Sequence, residues 1–240
     1  NGGAFFNAEF GIRHRGSTVP ERSGVALSFC RRRDIKLVQY IKGSCGDSKK
    51  TRVLKSEIQR IVGETISKWT FLHSGLTEAI TNVSHHAYPN NSTYKNNEKN
   101  WYLTGSYNKQ SHQLKITFYD QGIGIPKSLP TSEIWEKVLN LLTSLNVGKG
   151  KLDAELLSAA MKIDRTSTGD TDRGKGLQDL LEFIKQRQEG YLTVISRRGL
   201  YRLLIKDGAE QTKKHSFNNP LKGTLIIWNV SLKPQTFENE

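Results

Sequence analysis

Between Trp101 and Pro126 the chain reads as two strands followed by a stop. Leu114, Ile116 and Phe118 alternate with more polar neighbours, the period of two expected of a strand with one buried face. Trp101–Tyr107 reads as its partner across a polar turn at Asn108–His112, an antiparallel hairpin. The second strand runs directly into Asp120-Gln121-Gly122-Ile123-Gly124-Ile125-Pro126, where glycine and proline end it. A sheet built this way has one apolar face to cover, so the rest of the chain must supply a second layer.

Helical periodicity supplies that layer. Ile58, Ile61, Val62, Thr65 and Ile66 predict a helix over Ser56–Trp69, with Ser56 suited to cap its start. Leu76, Ala79, Ile80 and Val83 predict a second helix that stops before Pro89, and Pro89–Asn100 reads as a polar loop. Residues 127–173 contain helix candidates at Glu133–Leu145 and Asp153–Ile163, with a loose Gly148-Lys149-Gly150 between them and a polar Asp164–Asp172 after. A helix follows from Gly174 to about Gln188, with Leu177, Leu180, Leu181 and Ile184 on its apolar face. Tyr191–Ser196, Tyr201–Lys206 and Thr224–Val230 read as three further strands. Near the start, Gly2–Phe10, Gly24–Phe29 and Ile35–Ile41 are weaker strand candidates, and Gly43–Lys50 reads as a polar break. The expected fold class is α+β: a two-layer sandwich with a mixed, mostly antiparallel sheet and helices on one face. Residues 1–50 read as an N-terminal extension or edge strands, 51–232 as the main domain, and 233–240 as a frayed tail.

Composition limits the partners. The chain has 240 residues, 35% of them hydrophobic and 25% charged, and no run approaches the roughly 18 apolar residues of a membrane span. Its formal charge of +13 favours an anionic partner, whether nucleotide, nucleic acid or acidic protein. Arg31-Arg32-Arg33 suits either a solvated edge or a binding patch. Cys30 and Cys45 form no CxxC pair, which implies free thiols in a reducing cytoplasm. His14, His112 and His215 lack metal-ligand spacing, and matches to the glycosylation pattern at Asn82, Asn91 and Asn229 read as chance. The chain begins at Asn1, as expected of a piece of a longer protein.

Three stretches carry chemistry. Glu78 and Asn82 lie one helical turn apart, so a carboxylate and a carboxamide project together. Such a pair can activate water and offer oxygen to Mg²⁺, and it equally suits an exposed polar helix edge. Asp120 at a strand end can accept a hydrogen bond from an exocyclic amino group, with Gly122 and Gly124 free to adopt positive φ and approach a ligand. Arg173-Gly174-Lys175-Gly176-Leu177 opens a helix, where unpaired N–H groups and the positive dipole end favour an anion. The spacing matches neither a Walker A loop nor a Rossmann fingerprint.

In order, ExxxN on a helix, DxGxG after a strand, GxGL at a helix start and Gly223-Thr224 before a last strand resemble the GHKL superfamily over roughly Ser56–Val230. That superfamily includes gyrase, mismatch-repair ATPases, heat-shock chaperones, histidine kinases and anti-sigma serine kinases. Glu78-Ala-Ile-Thr-Asn82 followed by His86-Ala87-Tyr88 is most similar to the anti-sigma kinases. The resemblance implies a Bergerat-type domain holding ATP and Mg²⁺, with Glu78 as general base and Asn82 as metal ligand. Asp120 would read the adenine amino group, with Gly122 and Gly124 lining its floor and Ile125 among the nucleotide-binding residues. Gly174 and Gly176 would offer N–H groups to the phosphates, Arg173 and Lys175 would add charge, Leu177 and His86 would belong to the nucleotide-binding set, and Thr224 would sit near adenine. Residues 127–173 would form the ATP lid, longer than in anti-sigma kinases. His85 stands where a lysine or arginine is common, and Gln178 where a further glycine is common. The implied activity is ATPase or protein kinase in bacterial-type signalling, with a protein partner or phospho-acceptor and a homodimer compatible with the motifs. Alternatives are an ATP-gated binding module or a nucleic-acid-linked ATPase.

Overall fold

Strand β1 (Ile35–Ser44) forms one edge of a five-stranded sheet; β2 (Asn100–Asn108) and β3 (Gln113–Asp120) follow it as the expected hairpin. The last two strands, β4 (Glu189–Lys206) and β5 (Ala209–Ser231), complete the order β1-β2-β3-β5-β4. Every neighbouring pair is antiparallel, so the mixed character expected of the sheet is absent among the described strands. These come from a computed structural model that describes residues 34–45, 50–63, 69–89, 94–95, 98–132, 134–143, 152–164 and 176–233. The strand candidates Gly2–Phe10 and Gly24–Phe29, and Arg31-Arg32-Arg33, lie outside them.

The helices are α1 (Lys50–Val62), α2 (Trp69–Asn82), a short α3 (Ile125–Ser128), α4 (Trp135–Thr143), α5 (Leu152–Asp164) and α6 (Gly176–Arg187). One apolar cluster joins Ile58 and Ile61 of α1, Leu76 and Ile80 of α2, Leu157 and Met161 of α5, and Leu181 and Ile184 of α6 to inward-facing residues of all five strands. The protein is therefore α+β, with an antiparallel sheet packed against helices. Among the described residues no helix is long and apolar enough to cross a membrane.

Three expectations shift, each for a local reason. The first helix begins at Lys50, inside the expected polar break, so Ser56 is no cap; its hydroxyl donates back to Val53 O at 2.8 Å. That helix stops at Gly63, whose φ of 77° and N–H bond to Gln59 O make a left-handed C-terminal cap. Finally, the three late strand candidates are parts of two long strands. Asp207 and Gly208, at φ 50° and 76°, turn them back on each other as a two-residue hairpin. Between Ser196 and Gly199 the strand kinks through register shifts, with Arg197 at φ 53°, instead of ending.

The segment 127–173 is less uniform than a flap. A smaller cluster joins Leu129, Val138, Leu156, Ala159 and Ile163, while Leu157 and Met161 of α5 reach the main core. Asp153 adds a hydrogen bond from the Arg198 N–H at 3.0 Å, tying α5 to the β4 kink. Residues 144–151 and 165–175 lie outside the described residues.

The edge of β1 is guarded by α1. Glu57 accepts from Gln39 N, Arg60 donates to Leu37 O, and Lys50 Nζ donates to Lys42 O at 2.6 Å. On its inner face, Gly43 leaves room for Trp101, which is 1% exposed and stacks on Phe118 at 5.8 Å. A Cβ on Gly43 would fall within the Trp101 ring. Gly43→Ala should therefore cost about 1–3 kcal/mol by overpacking, read as a lower urea midpoint. An unchanged midpoint would show that the ring has space to move aside.

Candidate functional site

Helix α2 does not end as an ordinary α-helix. After Asn82 it widens into a π-helical turn, Val83–Ala87, before Tyr88 and Pro89. The last carbonyls of a helix lack intrahelical partners, and the Ala87 carbonyl takes the N–H of Ile123 at 2.8 Å. Gly122 makes that approach feasible, because a Cβ there would strike the Ala87 carbonyl and methyl group. Tyr88 fastens the same junction: its hydroxyl donates to Asn100 O at 2.7 Å and accepts from Gln121 N at 3.1 Å. Burial raises the Tyr88 pKa, so the phenol stays protonated and can serve as a donor.

Asp120, the last residue of β3, is 4% exposed. Its Oδ1 accepts from Gly122 N at 2.8 Å, and Thr224, its cross-strand partner, also helps to hold the charged form. Burial outweighs both and pushes the carboxyl up to about 6 from 3.8. Thr224 Oγ1 is 3.0 Å from Ser196 Oγ, a fully buried hydroxyl that also lies 3.2 Å from Gly223 O and accepts from Ile125 N at 2.9 Å. Ser196 thus ties together the glycine loop, the Gly223-Thr224 turn and β4. Gly124, at φ 83°, fits beside it only without a side chain.

The structure thus gathers Asp120, Gly122, Gly124, Ile125 and Thr224 into one bonded cluster and joins it to the end of the helix bearing Glu78 and Asn82. The glycines serve a packing purpose not anticipated from ligand approach alone: they let three stretches of backbone meet. The N–H of Ile125 is taken by Ser196. Asn82 is half-buried at the last α-helical position, and His86 is exposed on the π-helical turn. Glu78 lies one turn before Asn82 on α2; its side chain lies outside the described residues. Helix α2 packs along α6, which begins at Gly176 with Leu177 next. Arg173, Gly174 and Lys175 lie outside the described residues. Among the described residues no three His, Cys, Asp or Glu side chains cluster as a metal site.

Two participants were missed. Ser196 looked like the last polar residue of a strand, and only the β4–β5 pairing brings it to the glycine loop. Tyr88 had a weak signal, as an aromatic with a polar tip just before a helix-ending proline. Compared with known proteins, the chain matches no family model and no curated relative.

A buried carboxyl with a raised pKa carries a stability cost that depends on pH. Above about pH 6 the folded form bears a charged, desolvated Asp120, and the penalty is relieved as pH falls through 6 toward the unfolded value of 3.8. In the absence of any ligand, Asp120→Asn should raise stability at neutral pH by up to about 3 kcal/mol, with the advantage gone below about pH 4. Urea melts of both proteins across that range would check it. A difference independent of pH would mean that the carboxyl is solvated.

Proposed function

We propose that the chain is a Mg-dependent, ATP-binding domain of the GHKL type, with a Bergerat-type arrangement, that hydrolyses ATP or transfers its γ-phosphoryl group. The observation that carries this reading is the junction at Asp120. A buried hydrogen-bond acceptor at a strand end is bonded across the sheet to Thr224 and, through Gly122 and Ile123, to the end of the Glu78–Asn82 helix. Asp120, Gly122 and Thr224, which come from different motifs, meet at this junction.

The chemistry assigned to each residue follows from its type. Asp120 would accept the adenine amino group, which a guanine carbonyl could not replace, since two acceptors would then face each other. Asn82 offers a hard carboxamide oxygen suited to Mg²⁺, which when bound supplies charge neutralisation to the phosphates. Glu78 would orient and deprotonate the attacking hydroxyl or water. The start of α6, with Arg173 and Lys175 just before it, would receive the phosphates through free N–H groups and positive charge.

Calorimetry should show ATP binding in preference to GTP, and Asp120→Asn should weaken ATP even while it stabilises the ligand-free protein. Equal affinity for the two nucleotides would overturn the adenine assignment. Glu78→Ala should leave ATP affinity within a few-fold and slow turnover by on the order of 10²-fold. Full turnover in a folded Glu78→Ala protein would return the residue to a polar helix edge.

A further inference from the structure

The sheet's second face points away from the main core, and its composition is ordered. Register places Lys42, Tyr102, Tyr119, Leu225 and Ile195 in one row across the sheet. The next row is Thr104, Thr117, Ile227 and Thr193, and the one beyond is Leu37, Ser106, Lys115, Asn229 and Tyr191. These rows contain two lysines and no carboxylate. Toward β4 and β5 the face is closed, because Ile195, Leu225 and Ile227 are buried against Leu200, Phe217 and Leu221. Toward β1 it is open, forming a shallow groove of about 340 Å³ lined by Tyr40, Tyr102, Thr104, Thr117, Tyr119 and Gln121.

A bulge makes this groove aromatic. The β1–β2 register slips between Val38 and Ile41, so that both of these residues point into the core. Strict alternation would have sent Tyr40 inward with Val38; the extra residue turns it outward. Tyr40 then stacks on Tyr102, with ring centroids 5.9 Å apart and planes 25° apart, and Tyr102 stacks on Tyr119 at 6.3 Å. Tyr40 ends the stack and is 62% exposed, an aromatic surface that the described chain leaves in solvent.

We infer that this groove binds single-stranded nucleic acid. An unpaired base laid on the outer side of Tyr40 would continue the stack, and stacking of this kind accepts any base. Thr104, Thr117 and Gln121 offer hydroxyl and amide groups to base edges, while Lys42 beside Tyr102 and Lys115 two rows along the same face add positive charge suited to a phosphate backbone. The formal charge of +13 adds long-range attraction for the same partner. A second copy of the chain is disfavoured as occupant, because identical lysine-bearing faces would oppose each other and the β1 edge is already bonded to α1. The inference does not depend on the nucleotide reading, since the groove lies on the opposite face of the sheet from the α2 junction.

Fluorescence anisotropy with labelled oligothymidylate, oligouridylate and a duplex of equal length tests it on the full chain. The expected result is binding of a single strand in preference to the duplex, weakening as salt rises. The thymidylate and uridylate arms decide between DNA and RNA. Tyr40→Ala should lose about tenfold in affinity, and Tyr40→Phe should retain it, because the ring and not the hydroxyl does the stacking. The position is exposed, and an unchanged thermal melt of each variant would verify folding. The inference is overturned if no oligonucleotide binds at low salt, or if Tyr40→Ala binds as well as the parent, which would indicate charge alone. It also fails if polyglutamate displaces the strand as well as unlabelled oligonucleotide does, pointing to an acidic protein, or if Tyr40→Ala abolishes only self-association.

Discussion

Three backbones meet at the end of β3, and the rest of the candidate site depends on that contact. Gly223 lies against the Asp120 carbonyl and Gly122 against Ala87, each so close that a methyl group would collide. Close approach lets the Ile123 N–H reach the open carbonyl of the π-helical turn. The same closeness removes water from around Asp120 and leaves its carboxylate to be satisfied by Gly122 and Thr224. A larger residue at Gly122 would pry the helix end from the loop, one at Gly223 would push β5 from the end of β3, and the burial of Asp120 would go with either.

Burial of that carboxylate sets stability against proposed function. Desolvation raises its pKa although Gly122 and Thr224 act in the opposite direction, so the folded chain holds a charge that it would be more stable without. A group in that condition is suited to a partner that donates to it. The proposed adenine amino group is such a donor, and its hydrogen bond would recover part of what burial costs. Ser196 contributes by holding the loop closed with a single hydroxyl shared among Ile125, Gly223 and Thr224.

The two faces of the sheet follow different rules. The inner face obeys alternation and buries Leu103, Leu114, Ile116, Phe118 and Trp228 beneath the helices. At β1 the bulge breaks alternation once and gains an outward aromatic without losing Val38 or Ile41 from the core. An edge strand tolerates such a break because only one neighbour must follow it. Asp120 and Gln121 are consecutive yet serve opposite faces, the first at the buried junction and the second in the tyrosine groove.

What the sequence determined by itself was local. Period-two alternation placed the β2–β3 hairpin, period-3.6 spacing placed α2, α5 and α6, and the order of the motifs nominated Glu78, Asn82, Asp120 and Thr224 before any of them had a position in space. Those signals are legible because each arises within one element, from which side of it meets the core. Tertiary structure alone decided the rest. The polar Ala209–Gly223 became a strand because pairing with β4 supplies its hydrogen bonds, although exposure on both sides leaves no alternation to read. Helix α1 ended at Gly63 because a left-handed cap outweighed the apolar spacing that continued beyond it. Ser196 and Tyr88 joined the site, and Tyr40 left the core, through pairings and a bulge that bring together residues distant in the chain. Such contacts depend on where whole elements pack, which no local period records.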